Sequence, residues 1–112
     1  VWLINTGWTG GPYGIGHRIL LQHTRAMIEA ARTGLLNPNY SHTDFHIHSV
    51  FGIAQPRTCP GVPDSILSPR QTWKDDEAFS KQAYKLARAF HSNFKQFEDK
   101  VSKEILSGAP PL

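Results

Sequence analysis

Cys59 is the only cysteine in these 112 residues, so no disulfide closes within the chain, and a reducing compartment fits it. Nor do three basic residues stand together anywhere. The 12 Lys and Arg against 9 Asp and Glu give a net charge of +3, but it is spread out. That spread argues against a nucleic-acid arm or a polybasic membrane patch. Long apolar runs are missing too. The longest is Val1-Trp2-Leu3-Ile4, far short of the roughly 20 residues that cross a bilayer. No basic stretch leads into an apolar one as in a secretory signal, and collagen, heptad and solenoid periods are absent.

What is present is one domain's worth of globular sequence. Leu, Ile, Val and Phe make up about 24%, above the roughly 20% below which chains tend to disorder. A chain of this size buries only about 60–70% of its unfolded surface, so its core is small. Three sections follow one another. Residues 1–36 read as a strand, a glycine-rich loop and a helix. Residues 37–73 read as short strands and a proline-rich segment, and residues 74–112 as an amphipathic helix and tail.

Val1–Ile4 has the composition of a buried strand. An apolar strand needs neighbours on its edges and faces, and none precedes it, so we expect the sequence to continue upstream. Five glycines between Gly7 and Gly16 make a loop able to take left-handed angles or approach a ligand closely. Leu20, Leu21, Thr24, Met27, Ile28, Ala31 and Leu35 recur at helical steps, predicting a helix over 23–33 that stops at Gly34. Leu36-Asn37-Pro38-Asn39 reads as a turn, and 43–48 and 50–54 as β-leaning pieces. Pro56, Pro60, Pro63 and Pro69 predict a mostly extended or turning path over 55–72. Phe79, Ala83, Leu86, Phe90, Phe94 and Phe97 form a stripe, predicting an amphipathic helix capped by Asp75 or Asp76, with its stripe in the core. A short helix around 101–106 follows, ended by Gly108-Ala109-Pro110-Pro111.

The glycine loop is the main candidate for chemistry. Gly11 and Gly16 have P-loop spacing, but His17-Arg18 stand where Lys-Ser/Thr is required, so there is no β/γ-phosphate clamp. The dinucleotide pattern fails as well, because Ile19 stands where its third glycine belongs. Arg18, at the loop's end, has two readings: a guanidinium stacked on a purine or paired with phosphate, and a surface ion pair. Thr24 also has two, a helix cap and a hydroxyl offered to a ligand, with capping favoured by pattern alone. His46 and His48 share a strand face, with His42 and Cys59 near in sequence, but their spacing matches no zinc motif. Cys59 reads as a packed thiol rather than a nucleophile.

From Asn5-Thr6-Gly7-Trp8-Thr9-Gly10-Gly11-Pro12-Tyr13-Gly14-Ile15-Gly16, through Arg18, to Thr24-Arg25-Ala26, the sequence resembles ATP-dependent phosphoenolpyruvate carboxykinase. Val50-Phe51-Gly52-Ile53, Pro60-Gly61-Val62-Pro63 and Ile66-Leu67-Ser68-Pro69-Arg70-Gln71-Thr72-Trp73 resemble the same family in the same order, so the likeness spans roughly residues 1–97. It implies an α/β fold, the C-terminal part of a mononucleotide-binding domain with a mixed sheet and flanking helices. The implied enzyme is cytoplasmic and interconverts oxaloacetate plus ATP with phosphoenolpyruvate, CO₂ and ADP. Arg18, Ile19 and Thr24 match that family's nucleotide-contacting positions. Its P-loop, the ligands of its Mg²⁺ and Mn²⁺ and its substrate arginine lie upstream of the matching region. These residues alone are therefore expected to be inactive and to pack on the rest of the enzyme, with neither nucleic acid nor membrane as partner. His17 departs from the lysine common before the arginine, which alters local charge. A rival reading is a stand-alone nucleotide-binding or interaction module, which would have a polar lead-in before Val1. A weaker rival is a small metal-binding protein using His42, His46, His48 and Cys59.

Overall fold

Two helices hold more than half of the residues in regular secondary structure, and local capping explains where the first stops and the second starts. The computed structural model describes residues 1–4, 7–37 and 44–111. Helix α1 spans Leu21–Arg32. It stops where expected: Thr33 N–H and Oγ1 both bond the Glu29 carbonyl, and Gly34 takes φ +82°, the left-handed turn that glycine adopts without penalty. It begins two residues before the predicted start, straight after Leu20. The long helix, α4, spans Asp76–Phe94, and Asp75 caps it, its carboxylate accepting from Glu77 N (2.8 Å) and Ala78 N (3.2 Å). The short helix near the end, α5, spans Lys103–Leu106 and is capped by Ser102, whose hydroxyl accepts from Ile105 N.

The chain also makes two small antiparallel hairpins, one before α1 and one between α1 and α4, each a separate two-stranded sheet. The first pairs β1 (Trp8–Thr9) with β2 (His17–Arg18). The second pairs β3 (Phe45–Ile47) with β4 (Ala54–Pro56), in the register Phe45↔Pro56, His46↔Gln55, Ile47↔Ala54. Among the described residues the fold is thus mixed α/β with no larger sheet.

Several expectations change. Val1–Ile4 forms no strand: all four residues are exposed, and no edge among the described residues pairs with them. Residues 50–53 turn instead of extending. Gly52 sits at φ +69° with its N–H on the His48 carbonyl, and His48 Nδ1 accepts from Val50 N and Phe51 N, which folds the segment into a loop. The proline-rich stretch is not irregular throughout. It holds β4 and two one-turn helices, α2 (Asp64–Leu67) and α3 (Pro69–Thr72). Pro63 precedes the first and Pro69 opens the second, where a missing N–H costs nothing. In the expected turn, Asn37 N–H bonds the Gly34 carbonyl, while Pro38 and Asn39 lie outside the described residues, as does Thr43 of the predicted first strand.

The core is divided. Ala30, Leu36, Cys59 and Val62 form one buried cluster, holding α1 against the segment that leads into α2. Val50, Phe79, Ala83 and Ala87 form the other, holding α4 against the 48–53 loop. The phenylalanine stripe is therefore only half core. Phe79 and Ala83 are buried, but Leu86, Phe90 and Phe97 are 46%, 52% and 43% exposed, because the buried cluster with the loop ends at Ala87 and the helix itself stops at Phe94, short of Phe97. At the far end the tail folds back: His91 Nε2 donates to the Pro110 carbonyl at 2.6 Å, and Pro111 lies against Gly52.

Since Asp75 satisfies two N-terminal amides of α4, Asp75→Ala is expected to cost about 1 kcal/mol in urea unfolding, and Asp75→Asn much less. Equal losses in the two variants would refute the capping account.

Candidate functional site

The glycine loop folds as a tight hairpin because its carbonyls and amides close on one another. The Pro12 carbonyl accepts from Ile15 N (3.0 Å) and Gly16 N (2.9 Å), turning the chain between β1 and β2. Gly10 and Gly14 take φ +83° and +93°, angles that side-chain-bearing residues rarely adopt. At Gly16 the constraint is space. A Cβ there would stand 2.6 Å from the Thr9 carbonyl oxygen, and closer still to that of Gly11. The pairing sets Trp8 opposite Arg18 and Thr9 opposite His17, and Ile19 N–H bonds the Gly7 carbonyl at 3.1 Å. The Arg18 guanidinium lies over the Trp8 ring, Cζ 5.9 Å from its centroid, at the edge of cation–π range. Tyr13 meets the same indole edge-on at 5.4 Å.

Arg18, Ile19, Leu20, Leu21 and Thr24 together line one hollow of about 390 Å³, within the size range of small-molecule sites. All three residues singled out from sequence meet there. Arg18 is exposed and Ile19 half-buried, whereas Thr24 is only 5% exposed. Thr24 does not cap the helix: Leu20 occupies the cap position, and Thr24 lies one turn inside α1. Buried helical threonines usually return their hydroxyl to the carbonyl one turn back. Thr24 Oγ1 has no hydrogen-bond partner among the described residues. The hollow thus combines an apolar wall, a delocalised cation and a buried hydroxyl with unused bonding capacity, which suits a flat heteroaromatic ring.

Sequence reasoning missed Thr72. Its hydroxyl accepts from Thr9 Oγ1 (3.0 Å) and Gly10 N (3.1 Å) and donates to the Pro69 carbonyl (2.6 Å), fastening the hairpin to α3. It stands in the family-like run from Ile66 to Trp73, but nothing there marks it as a contact, because its hairpin partners lie 62 and 63 residues away.

The histidines do other work. Among the described residues no group of three or more His, Cys, Asp or Glu is placed to hold a metal, and His42 lies outside them. His48 spends Nδ1 on two backbone amides, so its proton sits on Nε2. Cys59 belongs to the other cluster, its thiol against the Pro60 carbonyl, and burial pushes its pKa up, away from nucleophilic use. A second hollow of about 200 Å³ lies between His46, His48, Ser49, Arg70 and Phe79. Burial holds His48 below the ordinary histidine range, and the nearby charges of Arg70 and His46 push it further down.

Comparison with known proteins agrees with the sequence likeness. A family model described as phosphoenolpyruvate carboxykinase matches residues 1–65. The phosphoenolpyruvate carboxykinase (ATP) of Flavobacterium johnsoniae is 53% identical over 110 residues, 98% of this chain and 20% of that protein. Those of Christiangramia forsetii and Thermus thermophilus are 48% and 46% identical, each with the same coverage. The chain spans about a fifth of the length of the curated relatives it matches.

Two measurements follow from the geometry. Gly16→Ala is expected to destabilise by about 1–3 kcal/mol, since two carbonyls must move; unchanged unfolding would mean the hairpin is looser than described. For His48, the unfolded chain takes up a proton below about pH 6.5 that the folded chain resists, so its contribution to stability falls as pH drops through that range and returns above it. His48→Asn keeps a short side-chain acceptor without the titration. It is expected to lose less stability than the parent between about pH 7 and 5, and parallel pH profiles would contradict this.

Proposed function

The chain belongs to the phosphoenolpyruvate carboxykinase (ATP) family, and on that footing we propose that it supplies the purine side of the ATP site in an enzyme forming phosphoenolpyruvate. In that reaction a carbon–carbon bond of oxaloacetate breaks and CO₂ leaves. The resulting enolate oxygen attacks the γ-phosphorus of ATP, and ADP departs. The observation that carries this reading is the meeting of Arg18, Ile19 and the unpartnered Thr24 hydroxyl on one hollow.

Each residue has a physical part in it. Arg18 stacks its guanidinium plane on the base, with Trp8 behind it. Ile19, Leu20 and Leu21 supply an apolar wall that excludes water. Thr24 offers a desolvated hydroxyl to a ring nitrogen or exocyclic group, a bond worth more there than in water. The glycine turn keeps bulk away from the approach. These residues bind and orient the nucleotide and leave the chemistry to others.

Divalent ions belong to the family's chemistry, where they offset charge on the transferring phosphoryl group. The donor sets here do not fit them: no acidic or histidine cluster among the described residues is placed to hold one. In this reading their ligands, the phosphate clamp and the oxaloacetate site are supplied by the rest of the enzyme. The fold is then a C-terminal piece of the nucleotide-binding domain. Leu86 and Phe90 on α4, and Phe97 just past its end, are covered by the remainder of that protein, working in the cytoplasm.

In the full-length enzyme, Arg18→Ala is expected to raise KM for ATP on the order of tenfold, matching about 1–2 kcal/mol of lost stacking, with a smaller change in kcat. An unchanged KM for ATP would overturn the assignment of Arg18.

A further inference from the structure

We propose that Thr72 is a positioning residue for nucleotide binding: its hydroxyl, through Thr9 and Gly10, sets where the hairpin presents Arg18 to the hollow. This rests on the reading of Arg18 as a purine contact. A threonine hydroxyl has one donor and two acceptor sites. Here all three are used, one donated to Pro69 O and two filled by Thr9 Oγ1 and Gly10 N. No apolar side chain reproduces that pattern.

The hairpin has little of its own to fix its place. Its strands are two residues each, and a glycine-rich turn pays heavily in conformational entropy to become ordered. Its base is tied through the Ile19 N–H bond to the Gly7 carbonyl and through the entry into α1. At its middle, the bonds of Thr9 and Gly10 to Thr72 are the only side-chain hydrogen bonds to the hairpin among the described residues. Thr9 stands opposite His17, and Trp8 opposite Arg18, so a shift at Thr9 reaches Arg18 within one residue of the ladder. Close packing leaves little slack, since a Cβ on Gly10 would stand 3.2 Å from the Thr72 carbonyl oxygen.

The other side of the connection is firmly held. Arg70, two residues before Thr72 in α3, donates to Ser80 Oγ (3.1 Å) and Ser49 Oγ (3.4 Å) and lies over the Phe79 ring at 4.7 Å. It thereby pins α3 to the start of α4 and to the 48–53 loop. Thr72 therefore transmits the position of a packed element to a hairpin that contributes to neither buried apolar cluster.

The test uses the full-length enzyme with Thr72→Val, Thr72→Ser and Arg18→Ala, assayed for kcat and for KM toward each substrate. Hydrogen exchange is followed over residues 7–19. Thr72→Val is expected to raise KM for ATP about three- to tenfold, as expected for one lost net hydrogen bond. KM for oxaloacetate should hold, kcat should change less than twofold, and exchange at residues 10–16 should quicken. Thr72→Ser should restore all of these. A Thr72→Val enzyme with normal KM for ATP, beside an Arg18→Ala enzyme with a raised one, overturns the proposal while leaving the Arg18 reading intact. If Arg18→Ala itself leaves KM unchanged, the purine reading falls, and with it the role of Thr72 in binding. Exchange over residues 10–16 then reports whether the fastening itself exists, and unaltered exchange in Thr72→Val would remove that as well. Should Thr72→Val fold poorly, Thr9→Val removes one of the same bonds and is expected to move KM for ATP in the same direction. No movement there overturns the proposal.

Discussion

A four-residue helix, α3, fastens the glycine hairpin, which contributes to neither buried cluster, to the loop and helix that build one of them. Its Thr72 hydroxyl fastens the glycine hairpin, and its Arg70 guanidinium reaches the 48–53 loop and the first turns of α4. The two buried clusters are small and have no residue in common, so burial alone does not fix their relative placement. The chain running from α2 straight into α3, and the Arg70 bonds to Ser80 and Ser49, connect them here. Hydrogen bonds contribute modestly when made but are costly to leave half-made, which is why so short an element is effective at this position.

The parts legible in the sequence were those decided locally. Asp75 before a 3.6-residue stripe announces the start of α4, and Gly34 announces the end of α1, since capping depends on residues within a turn of each other. The strand pattern of Val1–Ile4 failed for the opposite reason. Strand composition says only that a residue would suit a sheet, and the edge that would pair with it is not among the described residues. Residues 50–53 also have strand composition, but His48 offers its ring nitrogen to two amides and Gly52 permits the reversal. Prolines at 63 and 69 read as breakers, although at a first helical turn the same residue favours starting one.

The candidate site divides in the same way. The glycines and Arg18 were visible as a loop with a cation at its end, and likeness to a family selected Ile19 and Thr24 beside it. Thr24's unpartnered hydroxyl depends on its being one turn inside a helix that begins earlier than periodicity suggested. Thr72 stood within a family-like run, but nothing local gave it a role, since its hairpin partners Thr9 and Gly10 lie 63 and 62 residues away.

The separation of that contact has a further consequence for how the molecule is made. A chain emerges from the ribosome amino end first, so the hairpin is exposed well before α3 exists. Closing a loop of about 60 residues costs more entropy than closing a local turn, and it is repaid only when both ends can meet. The glycine hairpin is therefore fixed in place later than its early position in the chain suggests. A nascent chain stalled before Thr72 would carry the complete glycine motif and still lack the shape that gives the motif its use.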